Sequence, residues 1–227
     1  MRRLYLVRHG ETEANSLKII QGQSKQQLSK YAAYGDDLNP KGIMQARLLG
    51  KTLASVKFQY IYTSCALRAY NTADIVTFHN MKNALIIEEG LLEIDHGTFE
   101  GMRADEIAAK YPKLYKFYHT KPSQFIFPHG ERMIEAKERV GKIIDRILRH
   151  RSFTENALVV SHGGTISLAL IHIFGMDMDK MYHAIRHHNC AISIIEWSSP
   201  DTQPRIERLN DINHLKPIYN QTPPFPD

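Results

Sequence analysis

Residues 1–11 read MRRLYLVRHGE. The stretch Leu4–Val7 is short and apolar, which is typical of a buried β-strand. It runs directly into Arg8 and His9, with Gly10 behind them. In an open α/β sheet, ligands bind at the carboxyl ends of the strands. The opening stretch therefore predicts a first strand that ends in a functional site.

Two later segments of strand length end in the same way. Tyr60–Thr63 is followed by Ser64 and, one turn into the next helical pattern, by Arg68. The segment Ala157–Ser161 runs into His162 and two glycines. If these strands are parallel neighbours of the first, two arginines and two histidines meet at one edge of the sheet.

This combination of side chains suits a phosphoryl group. An arginine guanidinium offers a rigid fork of donors that matches phosphate oxygens. Gly163 and Gly164 open a helix, whose N-terminus favours anions. An imidazole among these donors can attack phosphorus if it is neutral and if a hydrogen bond fixes its other nitrogen. The pattern predicts a site that binds phosphate or transfers a phosphoryl group.

Apolar runs of strand length alternate with segments of helical periodicity. The predicted strands are Leu4–Val7, Tyr60–Thr63, Ala84–Ile87, Ala157–Ser161, Ala191–Trp197 and Ile206–Leu209. The predicted helices are Pro40–Val56, Leu67–Phe78, Arg103–Tyr118, Glu131–Arg151 and Thr165–Phe174. This alternation predicts one α/β domain over residues 1–227, a three-layer sandwich with helices on both faces of a mostly parallel, mixed sheet.

Two segments stand outside this pattern. Residues 22–38 form a long insertion directly after Gln21. Because long loops in compact domains are uncommon and often functional, we expect this one near the active site, where it shapes substrate choice or forms a lid. Residues 218–227 form a proline-rich tail, which we expect to be extended on the surface.

Composition excludes several classes of protein. The net charge is +5 and the sequence pI is about 9.1, but no run of Lys and Arg indicates nucleic-acid binding. Two cysteines make no disulfide framework, which favours a reduced, cytoplasmic protein. No apolar run approaches the roughly 20 residues of a membrane span. The N-terminal apolar stretch is too short for a signal peptide. We expect neither a nucleic acid nor a membrane as partner.

Five motifs, in order, resemble the histidine phosphatase superfamily, in its phosphoglycerate-mutase-like branch 1. They are LVRHGETEAN, TSCALRAYNTA, LLEIDHGTFEG, FPHGERMIEA and VVSHGGTI, and the similarity extends from Leu4 to about Leu215. The resemblance implies that His9 accepts the phosphoryl group and that Arg8 and Arg68 hold its oxygens.

The same resemblance implies roles for five further residues. His162 would stabilise the transferring group, and Glu93 would be the acid and base. The phosphate cradle would be completed by Asn15, Gln21 and the backbone of Gly163. It implies no metal and no cofactor, because the arginines supply the positive charge that Mg²⁺ gives elsewhere.

The function that follows is metal-independent hydrolysis of a small phosphorylated metabolite through a phosphohistidine, by a hydrolase of the histidine acid phosphatase type. A phosphoglycerate mutase is the alternative, but the long inserts and the arginine- and proline-rich segment of the cofactor-dependent mutases are missing here. A weakly catalytic phosphate-binding or interaction module is a second alternative. A homodimer through an edge strand is also possible.

The run His187-His188-Asn189-Cys190 suggests a metal site at first sight. Adjacent histidines on a strand point to opposite faces, and no second pair lies at zinc-finger spacing. We therefore interpret the run as a solvated approach to the next strand.

Overall fold

A computed structural model of the chain describes residues 2–23, 36–78, 84–149, 155–199 and 202–219. Within these ranges six strands form one sheet in the order β3-β2-β4-β1-β5-β6. The strands are β1 (Arg2–Arg8), β2 (Tyr60–Thr63), β3 (Leu85–Ile87), β4 (Asn156–Ser161), β5 (Ile192–Trp197) and β6 (Arg205–Asp211). Strands β3, β2, β4 and β1 are parallel, and β5 and β6 complete the sheet in antiparallel pairing. The predicted mixed α/β fold is confirmed.

The helices of the described ranges cover both faces of the sheet. They are α1 (Glu13–Ser16), α2 (Pro40–Leu53), α3 (Leu67–Thr77), α4 (Ala104–Lys110), α5 (Pro112–Thr120), α6 (Met133–Leu148), α7 (Gly163–Phe174), α8 (Met178–Met181) and α9 (Lys216–Tyr219). Four 3₁₀ turns lie at Glu89–Leu91, Gly97–Phe99, Pro122–Gln124 and Asn213–Leu215. No helix in this part of the chain is long and apolar enough to cross a bilayer.

Strand β1 is buried on both faces, which explains its continuous apolar sequence. Its side chains alternate between two cores. Tyr5 and Val7 pack with α2 and α3, whereas Leu4 and Leu6 pack with α6 and α7. A third apolar cluster, centred on Phe99, joins α4, α6 and α7 beside the sheet. The sandwich therefore holds β1 rigidly in its centre.

The helix boundaries follow local chemistry. Asn39 caps α2, because its side chain accepts a hydrogen bond from the Gly42 N–H (2.8 Å) and Pro40 occupies the first turn. Helix α7 begins at Gly163, two residues before the predicted start, and ends at Phe174, where Gly175 caps it with a left-handed φ of 61°.

The prediction of one helix over Arg103–Tyr118 is wrong. The segment contains α4 and α5, which are separated at Tyr111. Pro112 has no N–H and disfavours helical backbone in the residue before it, so the first helix ends there and a second begins.

Parts of the two irregular segments are outside the described residues. Residues 24–35 of the predicted insertion at 22–38 lie outside the described residues, and so do residues 220–227 of the predicted tail. Their expected roles stay predictions. The last described residues belong to α9, so the predicted extended tail does not begin at residue 218.

The loop after β1 crosses the start of α2 at very short range. A Cβ atom on Gly42 would lie 2.1 Å from the backbone oxygen of Glu11, and one on Gly10 would lie 2.7 Å from the Gly42 oxygen. Both neighbours are backbone, which cannot rotate away. These two glycines therefore allow the segment after His9 to lie directly against α2.

We predict that Gly42→Ala lowers the free energy of unfolding by about 2–3 kcal/mol, because the added methyl group overlaps backbone atoms. Urea unfolding followed by circular dichroism measures the loss. The control is Met44→Ala in the same helix, where the side chain is 55% exposed and a change within about 0.5 kcal/mol is expected. Equal stability of the two variants would contradict the close crossing.

Candidate active site

The carboxyl ends of β1 and β4 bring the two predicted histidines together. Arg8 and Ser161 are in register, and the His9 N–H donates to the Ser161 carbonyl (2.9 Å). The imidazole centroids of His9 and His162 are 5.2 Å apart. Arg68 reaches the same place from the first turn of α3. The site is therefore built where parallel strands end, as this class of sheet allows.

His9 is buried in a defined tautomer. Its Nδ1 lies 2.7 Å from the carbonyl oxygen of Gly10. A carbonyl only accepts hydrogen bonds, so Nδ1 carries the proton and Nε2 keeps a free lone pair. Burial, and then the positive charges of Arg68 and Arg8, hold the pKa of His9 well below its usual value. The ring is therefore neutral and suited to nucleophilic attack.

Two positively charged arginines lie beside His9, of which Arg68 is fully buried and Arg8 is half-buried. Arg8 Nη1 donates to the His187 carbonyl (2.8 Å), and Arg68 Nη2 donates to the Gly22 carbonyl (2.9 Å). Arg68 Nη1 pairs with the carboxylate of Asp36. The buried Nε of each arginine has no hydrogen-bond partner within the described ranges. Burial lowers the pKa of Arg8, but a guanidinium stays protonated, so both groups can bind an anion.

His162 is completely buried beside His9. Its Nε2 lies 2.9 Å from the hydroxyl oxygen of Ser64, whereas its enclosed Nδ1 has no partner in the part of the chain that the structure describes. Burial, followed by the positive charges of Arg68 and Arg8, keeps the pKa of His162 well below the ordinary value. A neutral imidazole with one nitrogen held by Ser64 can offer the other to a ligand.

Glu93 is bound at the N-terminus of α7. Its carboxylate accepts hydrogen bonds from the backbone N–H groups of Gly164 (3.1 Å) and Thr165 (3.0 Å), and from the Thr165 hydroxyl (3.1 Å). A Cβ atom on Gly164 would lie 2.8 Å from this carboxylate, whereas one on Gly163 would meet Arg8 only at 3.6 Å. A side chain at position 164 would therefore overlap Glu93, whereas one at position 163 would make only ordinary contact with Arg8. Gly163 is the residue whose backbone was predicted to complete the phosphate cradle.

Asn15 and Gln21 lie beside the histidine, at the end of α1. Asn15 Oδ1 accepts from the Thr12 N–H (3.3 Å), and Asn15 Nδ2 donates to Gln21 Oε1 (3.5 Å). Both residues line a cavity of about 400 Å³ that also contains Arg8, His9, Arg68 and Glu93. Gly163 lines a second, outer chamber of about 760 Å³ that shares Arg8, Asn15 and Glu93 with the first.

Asn189 is a site residue that the sequence interpretation missed. Its Nδ2 donates both to the His9 carbonyl and to Asn15 Oδ1, each at 3.0 Å. The next residue, Cys190, has a left-handed φ of 56° and donates its N–H to the Arg8 carbonyl (2.9 Å). The interpretation of residues 187–190 as a solvated approach to a strand is wrong, because this turn packs against the end of β1.

The two histidines of this turn form no metal centre. His187 is buried, its pKa is lowered by burial to about 4, and its carbonyl holds Arg8. His188 Nδ1 lies 2.8 Å from Asn210 Nδ2. In the described ranges no three His, Cys, Asp or Glu side chains come together as metal ligands would.

His96 is a second residue of the site that the sequence interpretation missed. It lines the inner cavity, and its Nδ1 is buried with no partner among the residues that the structure describes. Its ring packs edge-on against Phe127, at 4.7 Å between centroids, and burial lowers its pKa. Its position three residues after Glu93 was the signal that could have revealed it.

Both ends of the predicted insertion contact the site. Gly22 accepts from Arg68, and Gln23 Nε2 donates to the Glu93 carbonyl (3.0 Å). At the other end Asp36 pairs with Arg68. Residues 24–35 between them lie outside the described part.

Comparison with known proteins shows similarity along nearly the whole chain. Phosphoserine phosphatase 1 from Hydrogenobacter thermophilus is 30% identical over 220 residues, which cover 96% of this chain and 97% of the relative. "Probable phosphoglycerate mutase GpmB" from Erwinia tasmaniensis is 27% identical over 223 residues, which cover 95% and 96%. The structure of a phosphoserine phosphatase mutant from Entamoeba histolytica in complex with phosphoserine superposes with a TM-score of 0.76 at 26% identity, covering 95% of this chain and all of the other.

The family model for branch 1 of the histidine phosphatase superfamily matches residues 4–212. Histidine acid phosphatase, the narrower type that we predicted, is the name of a different family and is corrected here to the superfamily. The match extends from β1 through β6 and so includes every strand that contributes to the site. The chain therefore belongs to branch 1 of the histidine phosphatase superfamily.

Proposed function

We propose that the protein is a phosphatase that hydrolyses a small phosphomonoester through a phosphohistidine at His9. One observation carries this proposal. His9 is a neutral imidazole with Nδ1 fixed by a carbonyl, and it lies in a cavity with the guanidinium groups of Arg8 and Arg68. This arrangement provides a nucleophile and the positive charge that a phosphoryl group needs.

In the first step, His9 Nε2 forms a bond to phosphorus while the bond from phosphorus to the ester oxygen breaks. Arg8, Arg68 and His162 stabilise the charge on the transferring oxygens. The departing oxygen takes a proton from the Glu93 carboxyl group. This leaves Glu93 as a carboxylate, whose oxygens accept hydrogen bonds from Gly164 and Thr165.

In the second step, water attacks the phosphohistidine. Glu93 accepts a proton from the water, the water oxygen bonds to phosphorus, and the bond between phosphorus and Nε2 breaks. His9 is released neutral, together with inorganic phosphate. One carboxyl group thus serves as acid and then as base, which restores the enzyme after each turnover.

The arginines support a mechanism that needs no added metal, because they supply the charge compensation that a cation gives in other phosphoryl-transfer sites. Names of relatives support hydrolysis of a small metabolite such as phosphoserine. The mutase name of another relative keeps phosphoryl transfer between two positions of one metabolite as the second candidate. We further propose action in the cytoplasm, with a diffusible substrate.

We predict that the wild type releases phosphate from p-nitrophenyl phosphate in EDTA and that His9→Ala abolishes this activity, since the variant has no nucleophile. Absorbance of the released phenol measures the rate. Retained activity in His9→Ala would contradict the assignment of the nucleophile. The mutase would be favoured if the wild type did not hydrolyse the aryl phosphate but, once phosphorylated at His9, transferred its phosphoryl group to phosphoglycerate.

We predict that Glu93→Gln slows the first step, phosphorylation of the enzyme, about 10²- to 10⁴-fold with alkyl phosphates. With aryl phosphates this step should be slowed much less, because a good leaving group needs no proton. The rate of enzyme phosphorylation, measured by rapid quench for both substrate types, tests this. Thr165→Ser is the control, since it keeps the hydroxyl that donates to Glu93. Equal losses on both substrate types would mean that another group is the acid.

We predict that Asn189→Asp raises the inhibition constant for inorganic phosphate about tenfold or more. A carboxylate cannot donate to Asn15 Oδ1, so the Asn15 amide turns and presents an oxygen to the phosphate. A double-mutant cycle with Asn15→Ala measures the coupling. If Asn189→Asp weakens phosphate binding as strongly in the Asn15→Ala background, Asn189 does not act through Asn15.

A further inference from the structure

We propose that Lys18 and Arg186 bind a second anionic group on the substrate. This inference rests on the proposed phosphatase function and concerns the part of the substrate that leaves. The outer chamber, of about 760 Å³, adjoins the inner cavity and is lined by both cations. The preferred substrate is then a phosphomonoester that also carries a carboxylate or a second phosphate.

Lys18 lies at the junction of the two cavities. It lines the inner cavity with His9 and Arg68, and it also lines the outer chamber. Its backbone has a left-handed φ of 58°, which is uncommon for a residue with a side chain and would suit glycine better. The lysine is therefore held at a position where its backbone is unfavourable, next to the proposed reaction centre.

Arg186 belongs to the same turn that organises the reaction centre. The carbonyl of its neighbour His187 accepts from Arg8, and Asn189 holds both His9 and Asn15. Arg186 itself is exposed and lines the outer chamber. The turn that holds Arg8, His9 and Asn15 thus also places Arg186 at the outer chamber.

The positive charge of these two side chains is not compensated. Across the described ranges, neither Lys18 nor Arg186 has a carboxylate within 4.0 Å, whereas Lys41 in the same chamber pairs with Glu11 (2.8 Å). The other carboxylate of the chamber, that of Glu93, is hydrogen-bonded to the start of α7. The chamber therefore has two cations available for a ligand, in addition to the arginines of the cradle.

A carboxylate and a phosphate satisfy this site by the same chemistry, since both accept charge-assisted hydrogen bonds from lysine and arginine. Matched pairs of substrates show whether the second anion is a carboxylate or a phosphate. O-Phosphoserine and O-phosphoethanolamine differ by one carboxylate. Fructose 1,6-bisphosphate and fructose 6-phosphate differ by one phosphate. The first pair keeps the reacting phosphomonoester constant while the carboxylate is added. In the second pair, identification of the fructose monophosphate product restricts the comparison to hydrolysis of the 6-phosphate.

In one of the two pairs, we expect the wild type to have a kcat/KM at least tenfold higher for the substrate that carries the second anionic group. Lys18→Met and Arg186→Met should each lower that ratio about three- to tenfold, as partly exposed charge pairs do when they also donate hydrogen bonds. Lys18→Arg, which keeps the charge, should retain the preference. Lys51→Met, an exposed lysine of α2 outside both cavities, is the control and should leave the ratio unchanged.

The proposal would be overturned if the wild type had equal kcat/KM for the two substrates of both pairs. It would also be overturned if the variants lowered kcat/KM equally for the two substrates of a pair. Calorimetric binding of the same four compounds to His9→Ala tests the site without turnover. If the wild type hydrolyses none of them and no aryl phosphate, the phosphatase function fails. The second anion site would still be established if His9→Ala bound the compounds with a second anionic group more tightly and if adding Lys18→Met removed this difference.

Discussion

Two guanidinium groups, that of the buried Arg68 and that of the half-buried Arg8, impose the conditions under which the rest of the site works. Enclosed charge is costly unless an anion compensates it, so these groups favour the binding of a phosphoryl dianion. The same charge helps to keep His9 and His162 neutral. The arginine charges therefore contribute to substrate affinity and, together with burial, to the reactive form of the nucleophile, so a change at either arginine alters both.

Rigidity around Glu93 is the second requirement, because one carboxyl group has to serve two proton transfers. The chain before it is anchored at three carbonyls. Ser161 donates to Leu91, Thr165 donates to Leu92, and Arg139 donates to Gly90 and Leu92. These donors come from β4, α7 and α6, so the acid is fixed relative to the sheet and to the helix layer on one face. Such support from several elements keeps a catalytic geometry within narrow limits.

Much of this architecture could be predicted from sequence, because its signals are local. Apolar runs define β1, β2 and β4, and each runs directly into polar residues of the site. The break at Pro112 was also visible locally and was overlooked. Asn189 was beyond this approach, since its importance arises from contacts with residues 174 and 180 positions away in the chain. A short polar turn has no sequence pattern that distinguishes a solvated loop from a buried clamp.

The central place of β1 has a consequence for biosynthesis. This strand is synthesised well before its two partners in the sheet, β4 and β5, because β2, β3 and several helices lie between them in the chain. An apolar segment that ends in the nucleophile must therefore remain unpaired while the residues between β1 and β4 are synthesised. Contacts so distant along the chain slow folding and expose intermediates to aggregation. The site can form only after β4 and His162 have been synthesised, so a chain that ends before β4 holds the nucleophile but not the site around it.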